Sequence, residues 1–202
     1  MATTRNKQAV STPVSTRERI EKEAITILSE KGYDATSMRE IAEATGISKP
    51  VVYYHFKSKE NLCHHLIRSG LDEFRRRFED VCFEETEDPF EQIVHTVQVR
   101  FDFCKENVEF MRFIYALNFG PDRKKIDYDF YASAMEIFDM MLDIMHRASS
   151  AGVIKRGKEE AAVYYLQGII SAYVMLYIDG RGDFPRDLAR MIVTDVISGL
   201  GA

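Results

Sequence analysis

The segment "SMREIAEATGISKPVVYYHF", residues 37–56, constrains the fold most, because it specifies two short helices around a tight turn. Ser37 and Glu40 have the spacing of a capping box, which predicts where the first helix starts, and Gly46 predicts where it ends. Pro50 suits the first turn of the second helix, where its missing N–H leaves no hydrogen bond unmade. The segment therefore predicts a helix-turn-helix.

Helical patterns continue on both sides of this segment. Ser15 and Glu18 form another predicted capping box, and Ser58 is expected to cap a long helix. Apolar residues then recur at helical spacing and no strand pattern is convincing, which predicts an all-α fold of about nine helices, three short ones followed by a bundle of longer ones. One predicted apolar stripe in the bundle consists of Tyr131, Met135, Phe138, Leu142 and Met145.

The 202-residue chain has a net charge of −5 that is unevenly distributed. Residues 1–62 carry 10 Lys and Arg against 8 Asp and Glu, a net +2, whereas residues 63–202 carry 17 against 24, a net −7. A slightly basic N-terminal region on an acidic body favours a polyanion as the partner of that region. Three cysteines without CxxC spacing, and an N-terminus without the apolar core of a signal peptide, predict a cytoplasmic location.

The run "AAVYYLQGIISAYVMLYI", residues 161–178, is apolar on nearly all sides and just long enough to span a thin bilayer. Polar residues interrupt it, acidic residues flank it, and no cluster of lysine or arginine borders it, unlike the flanks of membrane spans. Such a helix is equally typical of a segment buried between two protein layers. We favour the buried helix and expect no membrane partner.

The second helix of the helix-turn-helix has two distinct faces. Tyr53, Tyr54, His55 and Phe56 are consecutive and cover about a full helical turn, so they cannot all face one core. Val52 and Phe56, four residues apart, are predicted to pack inward. The remaining outward groups combine lysine, valine, tyrosine and histidine, which suit base edges and phosphates. A purely structural role for the aromatic residues is the alternative, and the mixed outward face favours DNA binding.

Residues 17–62 resemble the DNA-binding region of the TetR family of bacterial transcriptional regulators. The resemblance lies in "GYDATSMREIAEATGISKPVVYYHFKSKENL", where the family's Gly-aromatic pair, Thr/Ser cap, "IA", Gly turn, Tyr-aromatic step, Phe and "K-E-x-L" follow in order. Pro50 and Val51 depart from it, since many relatives carry glycine or alanine and then threonine or serine there. The base sequence that is recognised is therefore left open.

The resemblance implies DNA-contacting roles for individual residues. Base contacts are expected from Lys49, Pro50, Val51, Tyr54 and His55. Phosphate contacts are expected from Ser37, Tyr53 and Lys59. Arg39 is expected to reach the DNA backbone or a base from the preceding helix. The complete predicted DNA-binding set is Ser37, Arg39, Lys49, Pro50, Val51, Tyr53, Tyr54, His55 and Lys59.

The predicted organisation has three parts: a disordered tail at residues 1–15, a helix-turn-helix DNA-binding domain at 16–62, and a helical ligand-binding and dimerisation domain at 63–202. Helix-turn-helix proteins usually bind symmetric sites as dimers. The apolar run at 161–178 can pack on its own bundle with one side and on a second copy with the other, and the resemblance implies that the last helix joins this interface. The predicted interface residues are Tyr165, Gly168, Ala172, Leu188, Ile192 and Val196.

The middle helices contain a surplus of adaptable apolar residues, for which the core is the simplest explanation. Helical bundles also hold ligand sites between their helices, and the resemblance implies an inducer pocket here. We expect an apolar or aromatic small molecule of unknown identity. The candidate pocket residues are Phe101, Phe110, Met111, Tyr115, Asn118, Tyr131, Met135, Phe138 and Gln167.

Catalytic and metal signatures are absent from the sequence. Cys63, His64 and His65 are adjacent, so they point in different directions from a helix and are not expected to bind a metal together. No GxSxG, P-loop, HExxH or paired-carboxylate pattern occurs, and we predict neither an enzyme nor a bound cofactor. The predicted function is a homodimeric repressor of transcription on palindromic double-stranded DNA. An activator without a small-molecule inducer, or a DNA-binding organiser of the nucleoid-occlusion type, is the alternative.

Overall fold

A computed structural model of the protein describes residues 14–83, 88–120 and 125–200. All regular structure in these ranges is helical, which confirms the predicted all-α class. Of the predicted tail at residues 1–15, positions 1–13 lie outside the described residues. The helices are α1 (Thr16–Ala35), α2 (Met38–Thr45), α3 (Lys49–His55), α4 (Lys59–Cys82), α5 (Pro89–Glu106), α6 (Val108–Phe119), α7 (Phe130–Ser150), α8 (Glu159–Ile178) and α9 (Leu188–Leu200).

The predicted caps of the first helices form, with one exception. Ser15 and Glu18 make a complete capping box at the start of α1. The Ser37 hydroxyl accepts from the backbone N–H of Glu40 at 3.2 Å, but the Glu40 side chain turns away and pairs with Lys31. The second predicted capping box is therefore only half formed, because the ion pair with α1 competes for its carboxylate.

Helix α1 changes direction at Gly32. Gly32 has a φ of 78°, a left-handed conformation that glycine adopts without steric cost, and the helical turn beyond it reaches Ala35. The Thr36 hydroxyl donates to the Gly32 carbonyl at 2.8 Å, which fixes the chain before α2. Thr36 is buried and has a structural role.

The apolar side chains form two cores, and the front core extends beyond the helix-turn-helix. It joins residues of α1 to α4 with Phe103 of α5 and with the face of α6 that carries Phe110, Phe113, Ile114 and Leu117. Helix α4 runs continuously across the predicted domain boundary at residues 62 and 63. The front helices and the body are therefore packed together through α4 and α6.

The second core fills the body between α4, α5, α7, α8 and α9. In α7 the buried apolar positions are Ile137, Met141, Ile144, Met145 and Ala148. The predicted α7 stripe is confirmed at Met145, which is buried, but Tyr131 is exposed and Met135, Phe138 and Leu142 are only partly buried. Apolar residues cover a wide arc of this helix, so the sequence pattern did not fix which side faces the core.

Helix α8 is the one helix in the described ranges that is long and apolar enough to cross a membrane, a criterion that core helices of soluble proteins also meet. One side of it, including Leu166, Ile170 and Val174, packs into the body core. The opposite side is exposed and includes Tyr165, Gly168 and Ala172. The core of this chain therefore explains the apolar residues on one side of α8, while those on the opposite side remain exposed.

Candidate nucleic-acid interface

Helix α3 is anchored by Val52 and Phe56, as the sequence predicted. Both side chains are buried in the front core, and Val52 has no exposed surface. The neighbouring Tyr53 and Tyr54 point outward with 47% and 84% of their surface exposed, and Val51 is exposed as well. An aromatic side chain as exposed as Tyr54 gains nothing from the core of its own chain, so it is available to a partner.

The turn between α2 and α3 is held by backbone geometry. Gly46 adopts a φ of 68°, the left-handed region that glycine favours, and its N–H donates back to α2. The Ile47 N–H donates to the Ala42 carbonyl at 3.2 Å. The Arg19 guanidinium of α1 donates to the Thr45 carbonyl at 3.0 Å and braces the same turn from below. These bonds fix the direction in which α3 projects.

The exposed base-facing candidates lie together on α3 and its first turn. Lys49, Pro50 and Val51 are all exposed, and His55 is partly buried with its ring edge-on to Tyr54 at 5.4 Å. Ser48 precedes the helix at the N-cap position, but its side chain makes no capping hydrogen bond there. The surface therefore offers an ammonium, apolar patches, a phenol and an imidazole over two helical turns.

Two capped helix starts border this surface and expose partial positive charge. The Ser37 hydroxyl caps α2, and the Ser58 hydroxyl accepts from the Asn61 N–H at 3.1 Å at the start of α4. Each hydroxyl keeps its own hydrogen for a second partner. Lys57, immediately before Ser58, is exposed and was overlooked, although a lysine beside a predicted cap was a visible signal.

The charge beside α3 is partly balanced within the protein. The Arg39 Nε donates to the Glu43 carboxylate at 2.6 Å on the exposed side of α2. This hydrogen bond, and the positive charges of Arg39 and Lys49, lower the pKa of Glu43 from its ordinary value. Arg39 is therefore already engaged before DNA arrives, and its free guanidinium nitrogens are what it can offer to a phosphate.

Lys59 has a different environment from the one predicted. Its Nζ donates to the Tyr33 carbonyl at 2.7 Å and to the Thr36 carbonyl at 2.9 Å, and it lies 4.1 Å from the centre of the Tyr33 ring. Two of its three N–H donors are thus used at the end of α1. The structure gives Lys59 a role in fixing α1, α2 and α4, with at most one donor left for a phosphate.

A cavity of about 190 Å³, partly open to solvent, lies between α4, α5, α6 and α8. Four of the predicted pocket residues line it: Phe110, Met111, Tyr115 and Gln167. The other predicted members are elsewhere: Phe101 is stacked on Phe184 in the body core, Tyr131 is exposed, Phe138 packs on Tyr164, and neither Asn118 nor Met135 reaches the cavity. The lining residues that sequence analysis missed are Leu71, Phe74, Arg100, Phe103, Ile114, Ile170, Ser171 and Val174.

Two polar pairs lie in this apolar cavity. The Arg100 guanidinium donates through Nη1 to the Gln167 side-chain oxygen, and Tyr115 and Ser171 line the same cavity. Burial lowers the pKa of Arg100 to about 10, against a small opposing effect of Tyr115. Burial raises the pKa of Tyr115, so its hydroxyl keeps its proton and can donate.

The predicted dimer residues fall into two groups. Tyr165, Gly168 and Ala172 lie on the exposed side of α8, and nothing lies within 4 Å of a Cβ placed on Gly168. Leu188, Ile192 and Val196 are buried in the core of their own chain and leave little surface for a partner, so their assignment to an interface does not fit this structure. The exposed face of α9 consists instead of Met191, Thr194, Asp195 and Ser198.

The three cysteines are free thiols buried in the two cores. Burial raises the pKa of Cys63 and of Cys82 to about 12 and that of Cys104 to about 11. Such thiols stay protonated at neutral pH and are poor nucleophiles and metal ligands. The described part of the chain contains no group of three or more His, Cys, Asp and Glu side chains that could hold a metal ion.

The capped α2, the fixed turn and the exposed side of α3 define the class of helix-turn-helix proteins, here joined to an all-helical body. Residues 20–66 match the model of the family described as "Bacterial regulatory proteins, tetR family". The HTH-type transcriptional regulator YerO of Bacillus subtilis (strain 168), itself uncharacterised, is 32% identical over 124 residues. That match covers 59% of this chain and only 42% of YerO.

Solved structures share the fold over nearly the whole chain. The TetR family transcriptional regulator PfmR from Thermus thermophilus superposes with a TM-score of 0.75 at 25% identity, over 93% of this chain and 98% of PfmR. AibR, crystallised with isovaleryl coenzyme A and operator DNA, has the same fold with a TM-score of 0.66 at 19% identity, over 91% of this chain and 97% of AibR. Residues 20–66 thus match the DNA-binding region of the TetR family of bacterial transcriptional regulators, and the chain as a whole shares its fold with solved members of that family. These relatives are regulators of transcription, in agreement with the prediction that the chain is not an enzyme.

Proposed function

We propose that the protein is a cytoplasmic, homodimeric repressor that binds a palindromic operator in double-stranded DNA and is released by a small ligand in its cavity. The observation that carries this proposal is the exposed side of α3, where Tyr54 is 84% exposed while Val52 and Phe56 are buried. A rigidly anchored helix with a mixed polar and apolar outer face suits the major groove, whose base edges present donors, acceptors and methyl groups.

The proposed DNA contacts divide by chemistry. Lys49, Tyr54 and His55 would donate to base edges, whereas Pro50 and Val51 would contact the methyl group of a thymine. Phosphate contacts would come from the capping hydroxyls at the starts of α2 and α4, from the exposed Lys57, and from Tyr53 and Arg39. Lys59 is expected to contribute mainly by keeping these helix starts in position.

The second copy is expected to pack on the exposed face of α8. Gly168 and Ala172 are four residues apart on that face, and their small side chains permit two helices to approach closely. Tyr165 and Leu176 extend the same stripe by a turn at each end, and Met191 supplies an apolar contact from α9. A dimer buried here would place one α3 on each side of a two-fold axis, which is what a palindromic site requires.

The path from ligand to DNA is expected to run through α6 and α4. The cavity wall formed by Phe110, Met111 and Ile114 belongs to α6, and the same helix packs on α1. Helix α4 lines the cavity with Leu71 and Phe74 and begins beside the DNA-facing surface at Lys59. A ligand that favours a displaced α6 would change the distance between the two α3 helices, and it could release DNA only through such differential binding.

Selection of bound sequences from a random pool of double-stranded DNA tests this proposal. We expect enrichment of a palindrome bound by two chains, with affinity that falls steeply as salt increases. Failure to enrich any sequence, or a monomeric complex, would contradict the proposal. Mapping binding sites across the genome then separates a repressor with few promoter sites from an organiser with many dispersed sites, and transcript levels in a deletion strain separate a repressor from an activator.

A further inference from the structure

The cavity contains an uncompensated positive charge. Arg100 lies among its lining residues, and within the described part of the chain no Asp or Glu forms an ion pair with it. Its Nε is fully buried and has no hydrogen-bond partner among the described residues. The Arg100 side chain as a whole is partly buried, but a fully buried polar atom without a hydrogen-bond partner is costly, so proteins seldom retain one without a use.

The described contacts of Arg100 include aromatic rings and one neutral acceptor, but no anionic side chain. Its guanidinium lies 5.8 Å from the centre of the Phe74 ring and 5.5 Å from that of Phe78, and its single described hydrogen-bond acceptor is the neutral oxygen of Gln167. Aromatic faces and an amide oxygen stabilise a cation less than a carboxylate does. The planar guanidinium has the donors for a bidentate hydrogen bond with a carboxylate.

The other residues that line the cavity indicate what the rest of the ligand is like. Of its twelve lining residues only Arg100, Tyr115, Gln167 and Ser171 carry polar side-chain groups, none is acidic, and the other eight are apolar. A volume of about 190 Å³ is below the range of roughly 300–1,000 Å³ that drug-sized ligands occupy. The lining therefore suits a small anionic head group attached to a short apolar body.

We infer that the cavity binds an organic monocarboxylate with a short aliphatic or aromatic body, and that Arg100 pairs with its carboxylate. The ligand replaces Arg100 as the hydrogen-bond partner of Gln167, and Tyr115 and Ser171 supply further donors. This inference rests on the proposed ligand-controlled function and adds the charge of the ligand to it. It also gives α8 a part in ligand recognition through Gln167. The next residue of the same helix, Gly168, lies on the exposed face proposed for the dimer.

Calorimetric titration of the full chain with matched acids and amides tests this inference. Hexanoate and hexanamide differ at the head group alone, as do phenylacetate and phenylacetamide, and the two pairs distinguish an aliphatic from an aromatic body. We expect at least one acid to bind, and its amide to bind about tenfold to a hundredfold more weakly, as for the loss of a hydrogen-bonded charge. Equal affinity of acid and amide, or no binding of either acid, would overturn the inference.

Two cavity variants and one control complete the test. Arg100→Met should remove the preference for acid over amide, and Gln167→Glu should abolish acid binding by supplying an internal carboxylate to Arg100. Arg76→Met, on the exposed side of α4, removes the same charge outside the cavity and should bind the acid like the original chain. Circular dichroism and melting curves establish that each variant is folded, and unchanged acid binding by folded Arg100→Met would overturn the inference.

The effect on DNA is measured separately with the selected operator. Acid binding that depends on Arg100 but leaves the operator complex intact would support the inference and contradict ligand release as the proposed function. Operator release by a neutral compound, together with acids that do not bind, would support the proposed function and overturn the inference.

Discussion

Lys59 donates to the main-chain carbonyl of Tyr33 at 2.7 Å and also lies over the Tyr33 ring at 4.1 Å from its centre. The two residues are 26 positions apart, and their contact joins the start of α4 to the end of α1. A second bond from the same ammonium to the Thr36 carbonyl fixes the chain just before α2. A lysine that the motif alone would assign to phosphate binding is thus a clamp between three helices.

The first prediction separates this clamp from a phosphate contact. Lys59→Ala should destabilise the fold by about 1–2 kcal/mol, because buried carbonyls lose a charged donor, and should lower the melting temperature. Lys57→Ala, at an exposed position two residues earlier, should leave stability within about 0.5 kcal/mol and weaken binding to specific and random DNA alike. Equal melting temperatures for the two variants would contradict the structural role of Lys59.

The second prediction concerns sequence recognition by Tyr54. Tyr54→Ala should weaken binding to the selected operator by about 1–3 kcal/mol and leave binding to random DNA nearly unchanged, because base contacts carry specificity and phosphate contacts do not. The side chain is 84% exposed, so the melting temperature should stay the same. Fluorescence anisotropy on both DNAs measures the difference, and Tyr54→Phe shows how much of it the hydroxyl contributes. Equal losses on both DNAs would place Tyr54 outside the base-reading surface.

Local sequence patterns predicted those features that depend on neighbours within a helix. The burial of Val52 and Phe56, the caps at Ser15 and Ser58 and the left-handed turn at Gly46 all follow from spacings of a few residues. These interactions form within one or two helical turns, so the sequence pattern contains both partners.

Features that depend on distant partners could not be predicted in this way. Arg100 meets Gln167 across 67 positions and two helices, and no spacing rule links them. The orientation of α7 was also lost, since its apolar residues cover so wide an arc that packing against α4, α5 and α8 decides which of them are buried. Leu188, Ile192 and Val196 were assigned to a partner for the same reason, because an apolar stripe does not reveal whether its own chain already covers it.

The third prediction addresses the proposed dimer. Ala172→Glu should convert the dimer to monomers, because each copy would bring a carboxylate to a closely packed apolar contact without a counter-charge. Light scattering after size exclusion at micromolar concentration gives the mass. Arg76→Glu adds negative charge on the exposed side of α4 and should leave the dimer intact. A monomeric unmodified chain would contradict the proposed dimer. A dimeric Ala172→Glu variant would show that the interface does not include this face of α8.

The fourth prediction follows from the buried thiols. The pKa values of Cys63 and Cys82 are raised to about 12 and that of Cys104 to about 11, above the ordinary value of 9.0 that they regain on unfolding. Between these limits the unfolded chain has lost protons that the folded chain keeps, so unfolding is favoured as pH rises. Below pH 9 these thiols should not affect the free energy of unfolding measured in urea. Above pH 9 they should lower it by up to about 1.4 kcal/mol per pH unit and thiol.

Thiol labelling provides an independent measurement of the same burial. A disulfide reagent at pH 8 should react with none of Cys63, Cys82 and Cys104 in the folded protein and with all three in urea. Rapid labelling of a folded cysteine would contradict its burial. Replacement of Cys63 by alanine should make the loss of stability above pH 9 less steep, whatever the effect of the substitution at pH 7.

The fifth prediction tests how the cavity communicates with the front helices. A Cβ built on Gly70 of α4 would overlap the ring of Phe110, so α4 and α6 approach each other here as closely as glycine allows. Gly70→Ala should push the Phe110 ring aside, either into the cavity, which it lines, or against α1. We expect ligand affinity to fall by about tenfold or more and operator affinity to change in the same variant, since over-packing costs about 1–3 kcal/mol. Gly199→Ala, where a Cβ meets nothing within 4 Å, is the matched control and should leave both affinities unchanged. If Gly70→Ala altered neither affinity, the close contact between Gly70 and Phe110 would have no part in coupling the cavity to α3.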